Sequence, residues 1–208
     1  GTFGKILAVA GSSGMCGAAF LSASGAFATG VGMVKIVTPE ENRIPLQTML
    51  PEAMISCTDD LEKDFDWCDV LVIGPGVGLT VKAADKVQFF LKKAKQEKKP
   101  VVLDADGLNL LAENPKWKNY LDSHVILTPH MGEMSRLTGK SIRELKSDRA
   151  GAARALAAET GAVCVLKDAC TVTAAPDGRA WISLSGNAGM ATAGSGDVLS
   201  GVLAGMQA

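Results

Sequence analysis

The sequence predicts an α/β protein whose mainly parallel central sheet is flanked by helices on both faces. Short β-type runs alternate with longer helical patterns along the 208 residues. Most of those runs are apolar throughout, as strands buried on both faces are, and βα alternation of this kind builds a parallel sheet covered by helices. Glycines and carboxylates gather just after one run after another, where open α/β sheets bind ligands.

The elements follow in order. Lys5 to Ala10 (KILAVA) reads as the first strand, and a small-residue helix from Ala18 to about Thr29 leads to a strand at Met33 to Val37. Asp69 to Ile73 (DVLVI) ends in GPGVG. Val81, Ala84, Val87, Leu91 and Ala94 then recur at spacings of three and four, which marks a helix with one buried stripe. Val101 to Leu103 runs into DADGLN, and Val125 to Leu127 into TPHMGEM and a second helical stretch. An Ala-rich helix from about Asp148 to Thr160 stops at Gly161, a suitable C-terminal cap. Val163 to Lys167, Thr171 to Ala175 and Ala180 to Leu184 are strands, and PDGR turns the last two into an antiparallel edge. A final helix begins near Gly196.

Composition narrows the function. A chain of 208 residues, nearly half of them apolar, fits one domain spanning residues 1–208. A net charge of -1 gives no reason to expect nucleic acid or an anionic membrane as a partner. The basic run KKAKQEKK (Lys92 to Lys99) ends a helical pattern, where cations suit the helix dipole. Five cysteines without a CxxC pair read as thiols of a reducing compartment, and no apolar run approaches the ~20 residues of a membrane span. A cytoplasmic protein is expected.

Familiar signatures fail on spacing. GxxGxxG at Gly11, Gly14 and Gly17 lacks the close GxG of a dinucleotide fingerprint, and GKS at Gly139 to Ser141 is preceded by Met134 where a Walker loop needs glycine. With only His124 and His130, there is no histidine cluster for a transition metal. AGSGD (Ala193 to Asp197) differs in kind. Its glycines, Gly194 and Gly196, let backbone N–H groups point into one concavity, and the following helix adds the positive end of its dipole, which makes an anion site. Asp197 would stand beside a bound phosphate, placed to take a proton from a hydroxyl, although it also suits a plain helix cap. GPGVG (Gly74 to Gly78) brings bare backbone to another strand end. TPHMGE offers His130 and Glu133, a carboxylate able to hold Mg²⁺ through water or simply to occupy a first helical turn. DADGLN adds Asp104 and Asp106.

AGSSGMCGAAFLSASGAFATGVGMVKI, VIGPGVG, VVLDADGLNLLA, VILTPHMGEMSRLTG, VLKDACTVTAAPDG and GNAGMATAGSGDVLSGVLAG together resemble, nearly end to end, the ADP/ATP-dependent NAD(P)H-hydrate dehydratases. That family has the ribokinase-like fold. The resemblance implies dehydration of the hydrate of NADH or NADPH back to NAD(P)H, at the expense of ADP or ATP with Mg²⁺. It makes Asp197 the base on the C6 hydroxyl. Gly196, with Lys167, Asp168, Ala169, Cys170 and Thr171, lines the nucleotide phosphates, and Ala18, Gly76, His130, Asn187 and Gly189 contact or shape the hydrated-nicotinamide site. Glu133 resembles the acid that related kinases use near Mg²⁺. Asp168 stands where the family has glycine.

The resemblance also implies an NAD(P)H-hydrate epimerase, fused or separate, as a partner, and further helices after the GSGD helix, so that the domain is expected to be shortened here. A homo-oligomer is expected, and the small face of Ala18, Ala19, Ala23 and Ala26 suits packing inside the domain or against a neighbour. Two rivals share the GSGD chemistry or its binding half: a kinase of a vitamin-precursor alcohol (hydroxymethylpyrimidine or hydroxyethylthiazole type), and an inactive nucleotide-binding module.

Overall fold

The computed structural model describes residues 2–208. The first half of the chain runs β1 (Lys5–Val9), α1 (Cys16–Phe27), β2 (Met33–Val37), α2 (Arg43–Met49), β3 (Met54–Ser56), α3 (Leu61–Trp67), β4 (Val70–Ile73), α4 (Val81–Glu97), β5 (Val101–Leu103) and α5 (Asp106–Glu113). The second half runs β6 (Val125–Leu127), α6 (Met131–Thr138), α7 (Ile142–Ser147), α8 (Arg149–Thr160), β7 (Val163–Leu166), β8 (Val172–Ala174), β9 (Ala180–Ile182) and α9 (Ser195–Gly205).

The strands form one nine-stranded sheet in the order β3-β2-β1-β4-β5-β6-β7-β8-β9. Every pairing from β3 to β7 is parallel, and β7-β8-β9 is antiparallel, so the turn at PDGR does build the expected edge. The chain moves outward from β1 to β3, then returns and starts in the other direction at β4. Ala8 in β1 therefore pairs with Ile36 of β2 on one side and Val72 of β4 on the other. Such a reversal leaves a crevice between the carboxyl ends of β1 and β4, because the two connections leave the sheet in opposite directions.

Alternation along the strands separates two cores. Leu7, Val9, Leu71, Ile73, Val101 and Leu103 meet α4, α5, α6 and α8 on one face. Ile6, Ala8, Val70, Val72 and Val102 meet α1, α2 and α9 on the other. Ala19, Ala23 and Ala26 are fully buried in this second core, so the small-residue face of α1 packs inside the chain, while Ala18 lies off that face and is half-buried.

Several boundaries move. The first helix begins at Cys16, two residues ahead of the expected Ala18, and the three C-terminal strands are each shorter than their sequence runs. No sequence pattern marks α2, α3, α5, α7 or β3. Each is too short to repeat its period over the longer stretch that a pattern needs, and α3 and α7 depend on local caps: Asp60 accepts the Lys63 N–H and Ser141 the Glu144 N–H. GKS at Gly139 to Ser141 is accordingly a helix stop followed by a helix start, with Gly139 left-handed at φ 71°. Lys99, in the basic run, donates to the carbonyls of Phe65 and Cys68. No helix among the described residues is long and apolar enough to cross a membrane.

Candidate active site

Two loops meet over the crevice. The Gly11 N–H after β1 donates to the Pro75 carbonyl after β4 at 2.8 Å. Gly76 has φ 60°, and a Cβ added there would stand 2.8 Å from the Ala18 Cβ, so bare backbone is required for the loop to lie on α1. Ala18 and Gly76, predicted to share one site, are thus neighbours. The Gly78 N–H donates to Asp106 Oδ2 at 2.9 Å, which ties the same loop to the start of α5.

Asp104, 1 % exposed just beyond β5, anchors the floor. Lys167 Nζ reaches its Oδ1 at 2.8 Å and Ser200 Oγ donates to its Oδ2 at 2.7 Å. A buried carboxylate requires such partners, because without them its desolvation is uncompensated. The three residues come from β5, the strand end of β7 and α9, so one carboxylate fixes three elements together. Lys167, expected to line the phosphates, is therefore also an internal counter-ion; its N–H is held by the Pro129 carbonyl at 2.8 Å.

The glycine-rich segment opens α9 with Gly194 left-handed at φ 83° as N-cap, and no side chain caps the helix. Asp197 thus takes no part in the cap, contrary to the plainer reading of its position. Ser195 N–H bonds to the Thr192 carbonyl and Val198 N–H to that of Gly194, which leaves the Gly196 and Asp197 N–H groups without a partner among the described residues. Unpartnered donors at the positive end of the helix dipole have the geometry expected of AGSGD as an anion cradle. A Cβ at Gly196 would lie 3.3 Å from Lys167 Nζ, so the cradle opens beside the ammonium group. The half-buried Asp197 carboxyl is raised to a pKa of about 6, by burial first and by the negative charge of Asp104 next, while Lys167 acts in the opposite direction. A carboxyl kept protonated to higher pH by burial and, next, by its carboxylate neighbours has a pKa suited to a general base working near neutral pH.

At the end of β6, His130 caps α6. Its Nδ1 accepts the N–H groups of Gly132 at 2.9 Å and Glu133 at 3.3 Å, and Glu133 Oε2 accepts the His130 N–H at 2.8 Å. This reciprocal pair is a capping box. Burial, then the Lys167 and Arg136 charges, hold the imidazole below its usual pKa. With Nδ1 an acceptor, the ring's proton belongs on Nε2, at the exposed end of the side chain. Glu133 is pushed up to about 7, chiefly by burial.

The loop of Asp168, Ala169, Cys170 and Thr171 follows Lys167. Asp168 needs no left-handed backbone, and its carboxylate is held by Arg149 Nη1 at 3.0 Å; a backbone bond from Ala169 and the Arg149 partner lower its pKa. Asn187 and Gly189 lie on an exposed segment, where Asn187 Oδ1 accepts the Gly189 N–H at 2.9 Å and so caps a single helical turn. They are not joined by hydrogen bonds to the Asp104 cluster. Ser200 and Arg136 were not singled out in the sequence. Ser200 carried one available signal, its place one turn after Asp197 on the same helix.

The chemistry of the Glu133 carboxyl suits Mg²⁺: it is buried, Oε2 accepts the His130 N–H, and Oε1 accepts no hydrogen bond among the described residues, with His130 Nε2 3.4 Å away. Mg²⁺ keeps several waters and takes one or two carboxylates plus substrate phosphates, so one such oxygen beside a phosphate cradle is a fitting donor.

A family model described as NAD(P)H-hydrate dehydratase matches residues 6–208. The fold is that of an α/β protein of ribokinase-like architecture, and the chain belongs to the NAD(P)H-hydrate dehydratase family. It is similar to an ADP-dependent (S)-NAD(P)H-hydrate dehydratase of Neisseria meningitidis serogroup B, at 40% identity over 98% of this chain and 69% of that protein. A bifunctional NAD(P)H-hydrate repair enzyme of Escherichia coli K12 is 41% identical over 98% of this chain but 38% of its own length, so the chain spans well under half of that relative. The ADP/ATP-dependent NAD(P)H-hydrate dehydratase of Bacillus subtilis, co-crystallised with ATP/Mg²⁺ and soaked with CoA, superposes with a TM-score of 0.82 at 35% identity, over 99% of this chain and 74% of that one.

Proposed function

We propose that this chain dehydrates the hydrate of NADH or NADPH to the working cofactor, using ADP or ATP as phosphoryl donor. The observation that carries the reading is the Asp197 carboxyl beside two free backbone N–H groups and the Lys167 ammonium. Membership of the dehydratase family favours it over a vitamin-precursor kinase, whose chemistry would begin in the same way.

In this mechanism the Gly196 and Asp197 N–H groups and Lys167 hold the transferring phosphoryl group, which spreads its charge over oxygens those donors face. Asp197 takes the proton of the C6 hydroxyl as its oxygen attacks phosphorus and the donor nucleotide leaves. The ring nitrogen's electron pair then expels phosphate from C6, and loss of a C5 proton restores the dihydropyridine. Phosphate is a far better leaving group than hydroxide. Mg²⁺, placed near Glu133 by the nucleotide phosphates, would offset their negative charge. Ala18 and Gly76 supply a flat wall for the nicotinamide half, and His130 Nε2–H a donor at its edge. Asp168, Ala169, Cys170 and Thr171 line the nucleotide side, with Asn187 and Gly189 over the pocket.

The test is return of the near-ultraviolet absorbance of reduced nicotinamide when hydrated NADH or NADPH is supplied with ADP or ATP. Asp197→Asn is expected to lower kcat by at least about a hundredfold, the contribution of a positioned base, while calorimetry finds nucleotide affinity within about threefold of the parent. Full turnover by the variant would overturn the assignment of the base.

A further inference from the structure

The proposed reaction moves two protons, and Asp197 takes only the first. While it holds the C6 hydroxyl proton it is a neutral acid, so the proton lost from C5 needs a second acceptor.

Contacts close a ring around the space where those protons leave. A Cβ added to Gly194, at the start of α9, would stand 2.2 Å from Leu21 Cδ1 of α1 and 3.9 Å from Asp197 Oδ2. Ala18, one turn before Leu21, lies against Gly76. The Gly78 N–H of that loop donates to Asp106 Oδ2 at 2.9 Å, and Asp104, two residues before Asp106, is tied back to α9 by Ser200 Oγ at 2.7 Å. Asp197 and Asp106 therefore border one space from two sides. Burial, then Asp104, and with them the Asp106 charge, raise the Asp197 pKa.

Asp106 is half-buried, and its oxygens keep accepting capacity. Oδ2 takes the Gly78 N–H and Oδ1 only the Asn109 amide at 3.3 Å, and no Lys or Arg pairs with the carboxylate among the described residues. Each oxygen has a lone pair left. The neighbouring acceptors are committed or farther off. Both Asp104 oxygens are taken by Lys167 and Ser200, and His130 Nδ1 accepts two backbone N–H groups. Glu133 follows β6, whereas Asp106 follows β5, the strand next to β4 and its glycine loop. Ala105, between the two aspartates, has φ 49° and ψ -121°, a conformation that side chains disfavour and that persists where the surroundings impose it. Through this bend Asp104 serves the floor and Asp106 the loop.

We infer that Asp106 is the second base of the reaction and accepts the C5 proton as phosphate leaves C6, an assignment that rests on the dehydratase reading. The C6–O bond breaks with its electron pair passing to phosphate, and the ring nitrogen's pair forms the N1=C6 iminium. The C5–H pair then closes C5=C6 as nitrogen recovers its own. Asp106 ends as a neutral acid and gives the proton to water.

Single-turnover kinetics with ADP and hydrated NADH separate the steps: AMP formation reports phosphoryl transfer, and the absorbance of reduced nicotinamide reports elimination. Asp106→Asn keeps an oxygen for the Gly78 N–H. In this variant AMP formation is expected within about threefold of the parent and absorbance return about a hundredfold slower, the contribution of a positioned base, with phosphorylated hydrate accumulating by phosphorus NMR. Asp106→Ala should behave alike, and added formate should speed its elimination about tenfold with AMP formation unchanged, as a replaced base does and a lost loop anchor does not. Absorbance return at the parental rate in Asp106→Asn would assign the proton to the departing phosphate. Equal slowing of both steps, no rescue by formate, or variants that do not fold would make Asp106 an anchor of the Gly78 loop. Each of these results overturns the inference. A parent that leaves hydrated NADH unchanged overturns the dehydratase reading itself, before either variant is compared.

Discussion

The catalytic role proposed for Asp197 carries a cost in stability. Its folded pKa of about 6 lies above the ordinary 3.8, mainly through burial. A raised carboxyl pKa means that the folded state holds its proton more tightly than the unfolded chain between those two values. Its contribution to stability is therefore fully present below about pH 4 and is lost as pH rises through about 6. Above that, the ionised carboxylate opposes folding. Removing the charge with Asp197→Asn should raise stability at pH 7.5, by about 1 kcal/mol once solvent screening of a half-exposed group is allowed for. In a chain of this size that is roughly 2–4 °C in Tm, and the gap should close at pH 4. The same pKa sets the acid limb of kcat/KM in the parent, which should fall tenfold per pH unit below about 6. A variant that is less stable than the parent at pH 7.5 would show that Asp197 is an integral part of the fold. AGSGD was legible as a glycine-rich helix start with open N–H groups because glycine content and helix position are local properties. The Lys167–Asp104 and Ser200–Asp104 bonds span 63 and 96 residues, and no local pattern announces them.

At the scale of elements, the proposed base is carried by α9, and the position of α9 is set by how closely it lies on α1. A Cβ added to Gly201 would stand 1.9 Å from the Ser22 carbonyl oxygen, and one added to Gly25 would stand 2.4 Å from that of Val198. The backbones touch through glycines of both helices. Gly201→Ala must push α9 away, with an expected loss of about 2 kcal/mol in denaturant unfolding and a fall in kcat as Asp197 and Ser200 leave their partners. Unchanged stability would mean that the helices are not in contact there. The sequence showed α1 and α9 as helices but not that they pack on one another, because a stripe of alanine and glycine fits many partners. Helix α4 was legible over its length through its 3.6-residue period, and α8 through its left-handed Gly161 cap at φ 70°. Helices α2, α3, α5 and α7, six to eight residues each, gave no period to read.

For the whole molecule, the order β3-β2-β1-β4 is what gathers distant segments at one edge. The turns after β1 and β4 form the crevice, β5 and β7 deliver Asp104 and Lys167, and α9 crosses over them with its N-terminus open. Alternation of strands and helices made the parallel sheet legible, but strand order depends on pairings between separated segments and could be known only as a class. This arrangement predicts coupling between nucleotide binding and global stability, since a phosphate on the α9 cradle joins α9 to Lys167 beyond β7, which Asp104 ties in turn to β5. Titration of the parent with MgATP or MgADP should raise Tm progressively, by roughly 5–10 °C at a hundred times Kd, where binding to the native state alone contributes about 2.7 kcal/mol. Asp197→Asn should show the same nucleotide-dependent rise from its own higher baseline, because the cradle is made of backbone N–H groups and Lys167. A rise abolished by Asp197→Asn would assign the carboxylate to holding the nucleotide, and would move the proton-accepting role elsewhere in the Asp104–Asp106–Lys167 cluster.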